Sequence, residues 1–137
     1  MNLGNFTIKA AEAIQAAQQL AFNSQNPSIE TEHILKALLE AQDSPVDYLL
    51  KKNNVTINLV DSKLDELISK LPKITSGEPA QSVSRDANNV ILRAGAVVKH
   101  FNDEFVTPEH LLLAIVQGND AAAKLLIFIQ GGGTHCS

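Results

Sequence analysis

The chain has 137 residues, of which 45% are hydrophobic, 4% aromatic and 19% charged, and its formal net charge is −4. A chain of this length can bury one core, or two small halves that share a core. The acidic balance disfavours binding to a phosphate backbone, and six scattered Phe and Tyr residues form no base-stacking platform. We therefore predict no nucleic-acid partner.

Targeting and membrane signals are also missing from the pattern. Polar residues interrupt the N-terminal stretch, which lacks the apolar core of a signal peptide. The longest apolar runs, Leu111–Val116 and Leu125–Ile129, fall short of the ~20 residues that a membrane helix needs. Cys136, the one cysteine, cannot form an internal disulfide. We predict a cytoplasmic protein with no membrane partner.

Four helices are predicted before residue 72, each from apolar residues at helical spacing. The first follows Thr7, whose hydroxyl suits an N-cap. The second spans about Thr31 to Ala41, the third follows Pro45, and the fourth spans about Leu59 to Leu71. No segment shows the alternation of a strand. Residues 72–82 are rich in turn-forming residues, which predicts an exposed linker.

The pattern of the first helices begins again after this linker. Placing His33 over His110, an offset of 77, aligns residues 7–50 with 84–127 without a gap, and nine of the 44 pairs are identical. The apolar face of the first helix is reproduced position by position, and Ser84 takes the capping place of Thr7. Internal duplication predicts two helical units packed face to face around a shared core.

Three segments carry a resemblance to a known family: Asn5–Thr7, Ile29–Leu39 and Phe105–Ile115. With them, residues 3–127 resemble the Clp N-terminal repeat domain, the module at the front of the Clp/Hsp100 family of AAA+ unfoldases. The segment Lys70–Lys73 favours the disaggregase branch of that family over its protease-associated branches. The resemblance implies an all-α fold of two four-helix repeats related by a pseudo-twofold axis.

The same resemblance divides the chain into residues 1–71 as the first repeat, 72–82 as the linker and 83–127 as the second repeat, all in one domain. Residues 128–137 depart from the family pattern. The second repeat is therefore expected to lack its last helix, the counterpart of Leu59–Leu71. We expect this tail to come from cloning or from a frameshift.

Two histidines, His33 and His110, lie in the first turn of equivalent helices. No second ligand follows three or four residues later, so the spacing favours structural imidazoles, bonded to local backbone or packed under the helix end, over a metal site. A small metal-dependent enzyme using both histidines is the alternative. Since no nucleotide motif or catalytic set has credible spacing, we expect no catalysis, metal or cofactor here; by the resemblance, ATP and Mg²⁺ belong to the full-length protein.

Substrate handling in the family points to a few polar positions and to a shallow apolar groove. Capping explains Thr7 and Glu109 as well as function does, because a hydroxyl and a carboxylate both stabilise helix starts. Asp103 lies in a predicted loop, where capping is not needed. The candidate polar residues are Thr7, Asp103 and Glu109, and the candidate groove residues are Leu3, Phe6, Phe101 and Phe105.

The resemblance implies a non-catalytic domain that weakly captures unfolded or aggregated polypeptide and passes it to an ATPase ring. Weak binding suits such a transfer, since release must be fast. The alternative is a docking domain for adaptor proteins in a protease-associated unfoldase, and co-chaperones are further candidate partners. We expect the isolated domain to be monomeric and the full-length protein to be hexameric.

Overall fold

The computed structural model describes residues 4–41, 45–52, 55–80, 82–100, 105–118 and 122–126. The helices are α1 (Ile8–Asn23), α2 (Thr31–Glu40), α3 (Pro45–Lys52), α4 (Ile57–Ser69), α5 (Arg85–His100) and α6 (Pro108–Val116), and residues 122–126 are also helical. Two short strands, β1 (Ser28–Ile29) and β2 (Ser82–Val83), pair in parallel. The predicted all-α class is confirmed, while the predicted tail over residues 128–137 lies outside the described residues.

The predicted duplication is visible in the helix bounds. Helix α5 begins and ends 77 residues after α1, and α6 begins 77 residues after α2. The two predicted N-caps have matching geometry. The Thr7 hydroxyl accepts a hydrogen bond from the Ala10 N–H at 3.2 Å, and the Ser84 hydroxyl accepts one from the Ala87 N–H at 3.1 Å. The same local signals therefore start the same helix twice.

Reciprocal backbone pairing joins the two repeats. Phe6 bridges Val106, and Ile29 pairs with Val83. These pairs are equivalent, because adding 77 to Phe6 gives Val83 and adding 77 to Ile29 gives Val106. A hydrogen bond of 2.9 Å follows each pairing, donated by the N–H of Thr7 to Val106 and by that of Ser84 to Ile29. The sequence analysis found no strands because two residues are too few to show an alternation.

The core lies between α2 and α6, which each contact helices of both repeats. Helix α1 packs mainly on α2, and α5 packs mainly on α6. Apolar stripes at helical spacing face this seam and are fully buried. Their largest members include Ile14, Ile34, Leu38, Leu111 and Ile115. The two repeats therefore share one hydrophobic core, and neither folds around a core of its own.

The segment after α4 is held against residues that follow α1. The N–H of Ile74 donates to the Gln25 carbonyl and that of Ala80 to the Asn26 carbonyl, both at 2.8 Å. Residues 75–78 are exposed, as predicted for a linker, but Ala80 is buried. Gly77 has a φ of +81°, a conformation that residues with a side chain rarely adopt. The predicted linker is thus an exposed turn with anchored ends.

An ion-pair network holds α4 on α2. The Lys36 amine lies 2.8 Å from a carboxylate oxygen of Asp61, 2.8 Å from one of Asp65 and 3.4 Å from one of Glu40. Burial lowers the pKa of Lys36, but hydrogen bonds to Asp61 and Asp65 outweigh burial and raise it above its usual value. Lys36 therefore stays charged and connects two helices of the first repeat.

Candidate functional site

Four of the predicted site residues meet at one corner of the molecule, around the Phe6–Val106 bridge. Thr7 follows the bridge and starts α1, while Glu109 is the second residue of α6 and is half-buried. Phe6 is half-buried and packs against the core, so only part of its ring is exposed at this corner. Phe105 is 51% exposed. The other predicted residues, Leu3, Phe101 and Asp103, lie outside the described residues.

The capping interpretation of this corner is supported at α6. Thr107 is the N-cap, Pro108 is the first helical residue, and Glu109 follows in the first turn. Proline at this position loses no hydrogen bond, and a carboxylate here is favoured by the partial positive charge of the helix start. Thr7 and Glu109 thus have structural roles, and neither role prevents the exposed part of the side chain from contacting a ligand.

His33 has the structural role that its sequence position predicts. Its Nδ1 accepts a hydrogen bond from the Glu30 N–H at 2.9 Å, and its Nε2 lies 2.8 Å from the Asn26 side-chain oxygen. The ring is therefore neutral, with its proton on Nε2. Burial lowers its pKa to about 4, because the charged imidazolium is disfavoured away from water. Both ring nitrogens of His33 are occupied by protein partners.

His110 repeats half of this arrangement. Its Nδ1 accepts a hydrogen bond from the Thr107 N–H at 3.0 Å, which matches the bond from Glu30 to His33. The two histidines therefore close equivalent helix starts, as the structural interpretation predicts. Among the ranges that the structure describes, no three His, Cys, Asp or Glu side chains are grouped to hold a metal ion.

An open groove in the first repeat, which we name the first groove, lies between α1 and the C-terminal end of α2. Its volume is about 260 Å³. Small side chains make its floor, two glutamates and a lysine border it, and the first residue of α6 closes one side. The lining residues are Lys9, Glu12, Ala13, Ala16, Ala37, Leu38, Glu40, Ala41 and Pro108. Through Pro108, this groove adjoins the corner that holds Glu109.

A groove in the second repeat, which we name the second groove, lies between α5 and α6 and has a volume of about 340 Å³. Its lining residues are Arg93, Ala96, Val97, His100, Leu113 and Gln117. Exposed apolar side chains extend it along both helices, since Leu92 precedes Ala96 by one turn and Val116 follows Leu113 by nearly one turn. This repeat therefore presents exposed apolar side chains on both helices beside the cation of Arg93, and we name Leu92, Leu113 and Val116 the apolar strip.

Sequence reasoning missed both grooves. Periodicity predicts which face of a helix is buried, but it does not show where two packed helices leave space between them. A signal was nonetheless available in the sequence alignment of the two repeats, where Ala16 is aligned with Arg93 and Lys36 is aligned with Leu113. At each of these positions, one repeat has a small or apolar residue where the other has a long cation. These mismatches mark both grooves.

In the parts of the chain that the structure describes, no helix combines the length and apolar character needed to cross a bilayer. The fold and the surface thus define the class of protein. It is a duplicated all-α domain with crossed strand pairing and two surface grooves. The sequence matches the family model described as the Clp repeat N-terminal domain over residues 5–127. The chain belongs to this family.

Curated relatives connect the chain with one branch of the family. It is 35% identical over 126 residues to the chaperone protein ClpB of Porphyromonas gingivalis and 34% identical over 126 residues to that of Bacteroides thetaiotaomicron. Each alignment covers 92% of this chain and 14% of the relative. The predicted resemblance to the N-terminal region of ClpB is confirmed.

Solved structures share the fold. The N-terminal domain of Hsp104 from Candida albicans superposes with a TM-score of 0.80 at 21% identity, over 90% of this chain and 80% of that one. The N-terminal domain of the ClpV1 ATPase from Escherichia coli gives a TM-score of 0.78 at 20% identity, over 93% of this chain and 80% of that one. At these identities, the likeness concerns the fold alone.

Proposed function

We propose that the chain is the N-terminal substrate-binding domain of a ClpB-like, ATP-dependent disaggregase. It would capture unfolded or aggregated polypeptide weakly and pass it to an AAA+ ring outside this chain. The observation that carries the proposal is the apolar strip along the second groove, found in a chain related to ClpB N-terminal regions. ATP and Mg²⁺ would act in the ring, while this domain binds without catalysing a reaction.

The strip has the chemistry that an unfolded chain would bind. Leu113 is 37% exposed, and Leu92 and Val116 are exposed as well. Unfolded polypeptide differs from folded protein chiefly in presenting apolar side chains to water, and burying them against this strip is favourable. At about 25 cal/mol per Å² of buried apolar surface, a few partly exposed leucines supply only a few kcal/mol.

The small exposed apolar area predicts weak binding, and weak binding suits the proposed role. Association costs several kcal/mol of translational and rotational freedom, so a small strip gives micromolar or weaker affinity. When the domain is tethered to a ring, a high local concentration replaces high affinity. The captured segment can therefore leave quickly once the ring engages it.

The corner around Thr7 and Glu109 would extend the binding surface with polar contacts. Exposed parts of a hydroxyl and a carboxylate can bond the amides of an extended segment, and Phe105 supplies apolar area beside them. Asp103, Leu3 and Phe101 remain proposed members of the same surface, as does the half-buried Phe6. The proposal places this domain in the cytoplasm, monomeric when isolated and hexameric through its ATPase modules.

Titration with fluorescently labelled reduced casein, an unfolded polypeptide, tests the proposal. The domain should raise the anisotropy with an affinity in the micromolar range or weaker, and Leu113→Ser should weaken binding by about fivefold. Leu59→Ser is the matched control, because Leu59 is 44% exposed on α4, outside the second groove. Absence of binding at millimolar domain, or equal weakening by both variants, would contradict the proposal.

Pull-down from the cytosol separates this role from adaptor docking. A substrate-binding domain should retain a heterogeneous set of unfolded or aggregated proteins, and retention should depend on Leu113. One folded protein retained in stoichiometric amount would instead favour an adaptor or co-chaperone as the partner.

A further inference from the structure

We propose that the first groove binds the side chain of an arginine residue in a partner polypeptide. The proposal rests on the polypeptide-binding role proposed above and deepens it, since it names a side chain that the captured segment would carry. The supporting observation is internal to the molecule. In the second repeat, an arginine of this chain occupies the equivalent position.

The occupied copy shows how a guanidinium lies between these helices. Arg93 of α5 donates a hydrogen bond from its Nη1 to the backbone carbonyl of Ala114 in α6. A Cβ atom placed on Gly118 would lie 3.0 Å from that Nη1 and 3.6 Å from the Arg93 Cζ. The guanidinium therefore rests against the last turn of α6, where glycine leaves room for it.

The first repeat has the same helix pair without the arginine. Arg93 is replaced by Ala16, and Ala114 corresponds to Ala37. The Ala37 carbonyl accepts the Ala41 N–H at 3.1 Å, which leaves its second lone pair for a guanidinium. Both Ala16 and Ala37 line the first groove, and so does Ala41, the counterpart of Gly118. The first groove, with a volume of about 260 Å³, is thus open where Arg93 lies in the second repeat. The Ala41 Cβ takes the room that Gly118 leaves, so an incoming guanidinium would lie a few tenths of an ångström farther from the helix end.

The electrostatics of the open copy favour a cation. Helix α2 has no basic residue in its last turn, so its partial negative charge at the C-terminal end lacks a cation from that turn. Glu12 and Glu40 border the groove, and Lys9 is the opposing charge, which leaves the lining with a net charge of −1. Lys36 contacts Glu40 from the α4 side at 3.4 Å and does not line the groove.

Arginine matches the groove better than lysine does. Its planar guanidinium carries donors in a fixed fork, which can reach a backbone carbonyl and a carboxylate together. Its alkyl stem can lie on the apolar floor formed by Ala13 and Leu38. A lysine ammonium is a more strongly hydrated point charge and loses more on leaving water.

Short capped peptides test the proposal directly. The probe is N-acetyl-Gly-Arg-Gly-amide, titrated into the ¹⁵N-labelled chain, with the citrulline and lysine peptides as neutral and charged comparisons. The arginine peptide should shift the amide signals of Ala16, Ala37 and Ala41, with about tenfold weaker binding for citrulline and weaker binding for lysine. Equal binding of the citrulline peptide, or shifts confined to other helices, would overturn the proposal.

Filling the groove from within gives a second test. Ala16→Arg places an arginine where Arg93 lies in the other repeat and should reduce binding of the probe by at least about tenfold. Gln18→Arg is the matched control, since it adds the same charge to an exposed position on the other side of α1. Equal loss in both variants would show charge repulsion and overturn the proposal.

Removing the arginine from the second repeat tests whether the positions of Arg93 and Ala16 are equivalent. This test does not depend on the folding of the Ala16→Arg variant. Arg93→Ala should create a second site for the arginine peptide, seen as new shifts at Ala114 and Gly118. If none appears, the position of Arg93 is not equivalent to the first groove and the proposal fails. Casein binding separates this proposal from the proposed function. If casein binds wild type and the arginine peptide does not, only this proposal fails, whereas the reverse result removes only the casein-binding role.

Discussion

The two repeats share their helices and differ in their surfaces. The capping hydroxyls, the histidine at each second helix and the buried apolar positions are retained between them. At the aligned pair Ala16 and Arg93 the first repeat is open and the second filled, while at Lys36 and Leu113 the first is charged and the second apolar. Residues that determine the backbone are therefore kept between the repeats, while exposed positions differ and give each repeat a different surface.

The largest expected effect in the first repeat is acid sensitivity at His33. Its pKa is about 4 in the folded chain, against 6.5 without burial. The folded state therefore binds this proton less readily than the unfolded chain, so stability is full above about pH 6.5 and falls as the pH drops towards 4. The loss should reach about 3 kcal/mol, measured by urea unfolding at a series of pH values.

Asn26→Asp sharpens this test. The Asn26 side chain faces Nε2 of His33, and the backbone N–H of Glu30 faces Nδ1. A carboxylate at position 26 would stabilise the imidazolium, so the loss of stability between pH 6.5 and 4 should become smaller. An unchanged pH dependence in this variant would show that another group causes the acid sensitivity.

A smaller difference is expected at the ion-pair network. The Lys36 side chain is 11% exposed, and Lys36→Met would leave Asp61 and Asp65 without their shared cation. Because both carboxylates are partly exposed, the cost should be about 1–2 kcal/mol and should shrink in high salt. Leu113→Met at the aligned position should change stability by less than about 0.5 kcal/mol. Equal effects in thermal unfolding would remove the asymmetry argued here.

The smallest difference in stability is expected at the two N-caps. Thr7→Ala and Ser84→Ala should each cost about 1 kcal/mol in urea unfolding, because each removes one hydroxyl bond to a first-turn N–H. Their effects on casein binding should differ, since only Thr7 belongs to the proposed polypeptide surface. If both variants bind casein as wild type does, Thr7 is a cap and nothing more.

Much of the fold could be predicted from the sequence because its determinants are local. Apolar spacing gave the core faces of α1 and α5, and Thr7 and Ser84 gave their starts. At the start of α2, Glu30 stands where the second repeat has Thr107, and it still occupies the N-cap position because the His33 ring accepts its backbone N–H. Apolar spacing and capping residues, which act over a few positions in the sequence, were thus sufficient to predict where the helices lie.

Features that depend on distant segments could not be predicted. The crossed pairing of Phe6 with Val106 uses backbone groups, which leave no pattern in side chains. Ala80 was predicted to lie in an exposed linker, but it is buried and its N–H bonds the carbonyl of Asn26, which follows α1 and is far away in sequence. The candidate site residues Thr7 and Glu109 come from the family resemblance and stay predictions, whereas the grooves depend on how two helices pack.

The most direct test of the central claim is to map unfolded casein onto the labelled chain by NMR. We expect signals along the second groove, at Ala96, Val97 and Leu113, to shift and broaden together, while the positions aligned with them in the first repeat, Gln19, Leu20 and Lys36, stay unchanged. Equal perturbation of both sets, or perturbation of α4 alone, would contradict the proposal that unfolded polypeptide binds along the second groove.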